Sequence, residues 1–98
     1  MKYLYLEEVK AQARIEHDEE DELLELYGSS AEDSILNLLG RSVESLYDEY
    51  GEIPRPVRHA TLALASQFYK EREGVSNNML YAVPYFYDIM LKPYIRLV

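Results

Sequence analysis

His17 and Asp18 stand side by side in the stretch RIEHDEEDELLELYG, residues 14–28. Seven of the ten residues from Glu16 to Glu25 are acidic. Side chains of these types can ligate a cation or pair carboxylates for acid–base work. A His–Asp pair resembles part of a metal site, but such sites need further imidazoles at defined spacings. The other histidine, His59, stands alone in a helical pattern. Asp18, Glu20 and Glu22 alternate like calcium ligands, yet Leu23 stands where an EF-hand loop needs its turn glycine. Paired carboxylates do acid–base chemistry only in a pocket that shifts one pKa. Ser29, Ser30 and Ser34 have no base motif nearby, and no Gly-rich phosphate loop occurs. With no cysteine, disulfides, thiolate zinc sites and cysteine nucleophiles are excluded. The expectation is therefore a chain without catalysis, cofactor or bound metal.

The elements that carry these residues read as helices. LEEVKAQARI, from Leu6, has Leu6, Val9 and Ala13 at helical spacing. Residues 15–17 form a connector. A long amphipathic helix is predicted over about residues 18–39, with Leu24, Tyr27, Ala31, Ile35 and Leu38 as its apolar stripe. Asp18, Asp21, Glu22, Glu25 and Glu32 fall opposite, as an acidic surface facing a channel or a subunit contact. The first acids suit a helix N-terminus, where unpaired amides and the dipole favour negative charge. Gly28, followed by Ser29 and Ser30, weakens the middle, and Gly40 is a natural stop. Residues 42–50 are either a short helix or irregular chain.

Two prolines in GEIPRPV break the chain before the clearest helix, over about residues 56–73. That helix has one apolar face of Val57, Ala60, Thr61, Leu64 and Phe68, and a second of Leu62, Ala65 and Tyr69. Apolar residues on two sides mark it as central. A last short helix runs from Pro84 to Leu91, and Pro93 ends it. The fold class is all-α, a small bundle of four to five helices.

The 98 residues suit one domain, and 48% hydrophobic residues exclude a disordered chain. No apolar run is long enough to span a bilayer, and the first residues lack a signal-peptide core, so residence in the cytoplasm is expected. The net charge of −8 is concentrated in the first half of the chain. No Lys/Arg cluster provides a phosphate grip. Ten tyrosines suit protein interfaces. Leu26 and Leu36 lie off the apolar stripe, and with Tyr81, Tyr85, Tyr87 and Tyr94 they form a candidate oligomer or partner interface.

YLYLEEVKAQARIEHDEEDELL, LLGR, IPRPVRHATLALASQFYKERE and VPYFYDIMLKPY follow one another in an order and spacing that resembles the head–tail connector proteins of tailed phages and prophages, also labelled possible DNA packaging proteins. The similarity covers nearly the whole chain. Its carriers are LEEV at residues 6–9, RIEHD at 14–18, Gly40–Arg41, Pro56–Val57, Tyr69 with Arg72–Glu73, and Pro93–Tyr94. Tyr5 departs from the family's usual Ser or Thr cap, and residues 28–30 from its usually continuous helix.

The resemblance implies one helical connector-like domain over residues 1–98 that assembles into a twelvefold homo-oligomeric ring. The ring sits in the virion at the capsid–tail junction, beneath the portal protein, and joins it to stopper or tail-completion proteins. DNA passes through its lumen without specific binding, and no membrane is involved. Assembly takes place in the host cytoplasm. The alternative reading is a small acidic helical interaction module that binds a partner through its tyrosine-rich C-terminal segment. A metal-dependent enzyme ranks third.

Overall fold

The computed structural model describes residues 1–70 and 89–96. Among these residues the chain forms four α-helices, a helical end at residues 89–91 and a closing 3-10 turn. Helix α1 spans Leu6–Ala13, α2 Asp21–Leu39, α3 Val43–Tyr50 and α4 Arg55–Lys70, and the turn is Lys92–Tyr94. The all-α class is as expected. Helices α1, α2 and α4 pack against one another, with the largest contact between α2 and α4.

Tyr5 precedes α1 and has no side-chain oxygen placed to cap it. Glu8 compensates by accepting the Tyr5 N–H at 3.0 Å. The helix ends with Arg14 N–H donating to Ala11 O at 3.2 Å and Ile15 N–H to Lys10 O at 2.9 Å. This paired closure is usually built on glycine, because its turning residue is left-handed. Here Arg14 holds that conformation, with φ 59.

The start of α2 is later than the acidic run suggests. Residues 18–20 form a turn, and only Asp21 and Glu22 lie in the first helical turn. The expected weakness at Gly28 does not appear, and α2 is continuous to Leu39. Glycine serves here as a notch. A Cβ at Gly28 would lie 2.3 Å from Met1 Sδ, so the glycine gives the methionine side chain its seat against α2. Gly40 stops the helix in the left-handed conformation, with φ 66, as its position predicts.

Leu24, Ala31, Ile35 and Leu39 of α2 meet Val57, Ala60, Leu64 and Ala65 of α4 in the core. Val9, Leu46, Ile53 and Leu91 close it from the other elements. The expected apolar stripe is rotated at its C-terminal end. Leu38 is 50% exposed, Tyr27 is half-buried, and Leu36 is buried. Residues 42–50 resolve as a helix because the Ser42 hydroxyl accepts the Ser45 N–H at 3.1 Å. Pro56 occupies the first turn of α4, where its missing N–H has no helical partner to lose. The Arg96 N–H donates to Leu39 O at 2.9 Å and ties the C-terminal segment to the end of α2. The expected helix start at Pro84 lies outside the described residues.

Candidate assembly surface and its N-terminal anchor

Residues 1–4 run as a strap across α2 and α4, with a bend at Tyr3. One side chain organises it. Glu32 accepts the Lys2 N–H through Oε1 at 2.7 Å, and the Tyr3 and Leu4 N–H groups through Oε2 at 2.7 and 2.8 Å. Its residue is 1% exposed. This corrects the expectation that Glu32 joins an exposed acidic surface. A buried carboxylate is tolerated because successive backbone donors replace its water. Those donors in turn have no helix or sheet partner of their own.

The strap's side chains fix its placement. Tyr3 OH lies 2.5 Å from Thr61 Oγ1, while Thr61 Oγ1 donates its one proton to Val57 O at 2.7 Å. The Tyr3 hydroxyl is therefore the donor in its own bond. Burial holds the Tyr3 phenol well above the usual tyrosine range. Met1 fills the notch at Gly28, and the Lys2 ammonium pairs with Asp33 at 3.0 Å on the exposed side. Sequence reading missed this anchor. The available signal was the row Gly28–Glu32–Leu36, spaced by four, in which an acid stands between a glycine and a leucine.

The other predicted acids separate into two groups. Asp18 and Asp21 converge on Lys10 of α1, at 2.5 and 3.0 Å. The hydrogen bond from Lys10 holds the Asp18 carboxyl below the usual aspartate range, and Asp18 followed by Asp21 raises Lys10. Glu22 and Glu25 are exposed on the outer face of α2. His17 uses Nδ1 to accept the Glu19 N–H at 3.3 Å. Among the described residues no group of three or more His, Cys, Asp or Glu side chains is placed to hold a metal ion.

The predicted interface residues also part company. Leu26 is 59% exposed, in the middle of the acidic outer face of α2. Leu36, expected to be wet, is 6% exposed and belongs to the core. Its row continues that of Gly28 and Glu32, which the strap covers, and a wheel drawn for α2 alone does not reveal this. Tyr94 is half-buried, and its ring meets Tyr50 edge-on with centroids 5.4 Å apart. Tyr81, Tyr85 and Tyr87 lie outside the described residues.

Near Tyr94, Arg41 turns back from the end of α2. Its Nε donates to Ser45 Oγ at 3.0 Å, its Nη1 to Glu49 Oε2 at 3.0 Å, and its plane lies 5.5 Å from the Tyr50 ring centre. Bonds from Tyr50 and then Arg41 hold the Glu49 carboxyl below the usual glutamate range. The arginine thus joins α2 to α3 within its own subunit. Exposed large apolar side chains remain at Tyr5, Leu26, Leu38, Tyr47, Tyr50 and Ile89. No helix among the described residues is long and apolar enough to cross a membrane.

Comparison with known proteins gives one match and two blanks. A family model described as phage gp6-like head-tail connector protein matches residues 3–94. No curated protein matches, and no solved structure does. The matched span begins at Tyr3 in the strap, includes all four helices, and ends with the 3-10 turn at Tyr94. The chain belongs to the phage gp6-like head-tail connector family, a family of structural virion proteins.

Proposed function

We propose that the chain forms a ring-shaped connector, twelvefold when assembled, beneath the portal protein. The ring joins the portal to stopper or tail-completion proteins, and the phage genome passes through its lumen. The observation that carries this reading is the family match over residues 3–94. The surface supports it. Leu26 is 59% exposed within an acidic helix face, and Leu38, Tyr47 and Tyr50 are also exposed. Apolar side chains of this size favour cover by a neighbour. A closed ring needs head-to-tail contacts, so two different faces of each subunit take part.

The acids suit a conduit. Glu16, Asp18, Glu19, Glu22 and Glu25 are exposed in one stretch of chain. Phosphate is repelled by such a surface and gains no counterion release from it. DNA that meets it slides without being held. The test is assembly with the portal. Sedimentation and electron microscopy of the mixture are expected to show a ring stacked on the portal. A strict monomer at high concentration, both with and without portal, overturns the reading.

A further inference from the structure

We propose that residues 1–13, the strap with α1, form an exchangeable arm that docks on α2 and α4 of a neighbouring subunit in the assembled connector, with residues 14–20 as its hinge. This rests on the ring reading above, and it names the segment through which one subunit holds the next.

The arm is a separable piece with a complete receptor. Among the described residues, the polar groups that hold it belong to α2 or α4, apart from Asp18 in the hinge. Glu32 takes the amides of Lys2, Tyr3 and Leu4, and Thr61 takes the Tyr3 hydroxyl. Arg58 Nη1 donates to Glu8 Oε1 at 2.9 Å, and Asp21 pairs with Lys10 at 3.0 Å. Gly28 supplies the notch for Met1. A second copy offers the same receptor, so exchange preserves every one of these contacts. Only the hinge changes, which makes the hinge decide between the two forms.

The hinge opposes the closed form. Closure needs Arg14 in the left-handed conformation, with φ 59, which an L-residue other than Gly, Asn or Asp adopts rarely. An extended connector removes that requirement. Glu16, Asp18 and Glu19 are exposed along the hinge, and like charges in a linker favour extension. Exchange would break the Lys10–Asp18 ion pair, in which Asp18 is exposed. Seven extended residues reach roughly 23–25 Å, about twice the width of a helix. Dilute subunits keep the arm at home because a tethered arm has the higher effective concentration. In a ring the neighbour's receptor is held close, and that advantage disappears.

The chain has no cysteine, which allows a direct test. Lys2 and Asp33 face each other at 3.0 Å, and both side chains are more than half exposed, so Lys2→Cys and Asp33→Cys disturb little. Subunits with Lys2→Cys alone are mixed with subunits carrying Asp33→Cys alone, assembled, and treated with a short bismaleimide. Exchange is expected to give covalent dimers across subunits. The double variant, assembled in the same way, should give a covalent ladder. A second pair, Glu8→Cys with Arg58→Cys, reports the same arm from α1. Assembled rings whose double variants are linked only within single chains overturn the exchange and leave the ring reading standing. Absence of any assembled species by sedimentation overturns both.

Discussion

Tyr3 and Thr61 share a hydrogen bond of 2.5 Å across 58 residues of sequence, and the proton in it belongs to the tyrosine. The assignment follows from Thr61, whose own proton is committed to Val57 O at 2.7 Å. Removing either partner therefore has unequal effects. Thr61→Val leaves a buried phenol donor unpaired and should cost about 2 kcal/mol, within the range for an unsatisfied buried group. Tyr3→Phe leaves only a spare acceptor lone pair on Thr61 and should cost about 1 kcal/mol. Urea denaturation of both single variants and the double variant checks the order. A larger loss for Tyr3→Phe than for Thr61→Val would reverse the proton assignment.

Glu32→Ala removes the acceptor for three strap amides. Left in place, they would incur 1–3 kcal/mol each, by the usual estimate of roughly that size. The strap avoids the full amount by peeling into water, so the loss is capped near its docking energy, about 2–4 kcal/mol. Hydrogen exchange should show residues 2–4 losing protection while the core of α4 keeps it. Uniform loss across the chain would show that the strap and the bundle unfold together.

Gly28 sets two effects against each other. Alanine gains about 1 kcal/mol of helix propensity over glycine. Its Cβ, however, would stand 2.3 Å from Met1 Sδ. The methionine side chain is flexible and can swing aside, so Gly28→Ala should change stability by less than about 1 kcal/mol. Gly28→Leu, too large for such a shift, should displace the strap and cost about 2–3 kcal/mol. Thermal unfolding of the pair separates a notch from an ordinary helix position.

The Lys10 clamp on the hinge has a pH window. The folded-state pKa of Asp18 is lowered by Lys10, so its contribution is present above the ordinary aspartate range and is lost as acid takes the pH through the lowered value. Lys10 is raised by Asp18 and Asp21, so its contribution is present below the ordinary lysine range and fades as the pH rises through the raised value. Between those limits the clamp holds, weakened by salt because Asp18 is exposed. Proteolysis in the connector, residues 14–20, should accelerate at either extreme. In Asp18→Asn the acid limb should shrink.

Glu19, Glu22 and Glu25 are exposed, so changing all three to Lys should leave the fold intact. Binding of duplex DNA should then appear, and it should weaken steeply with salt. Fluorescence anisotropy at two salt concentrations reads both effects. Tight binding by the unaltered protein at physiological salt would remove the conduit account of the acids.

What the sequence made legible was local. Gly40 ends α2 because its φ of 66 suits glycine, and α4 is central because its apolar residues occupy two sides. Both properties live within a few residues of chain. Glu32, Leu36 and Leu38 were misplaced because their burial depends on which segment lies over α2. That segment is the strap, 28–30 residues away from Glu32 in sequence. Glu25 and Glu32 lie close together on a helical wheel, yet one is wet and the other is covered, since the strap crosses only part of the helix. The start of α2 shows the same limit at shorter range. An acid-rich turn and an acid-rich first helical turn have the same composition.

The strap also constrains how this family member can drift. Glu32 accepts any backbone N–H, so by itself it would permit the chain to slide. Gly28 admits Met1, and Thr61 needs the Tyr3 hydroxyl, so a slide of one residue breaks both matches. Exposed Lys2 and Tyr5 can therefore be replaced over generations, whereas inserting or deleting a codon between Met1 and Leu6 should be purged. In this segment the number of residues is held more strictly than their identity.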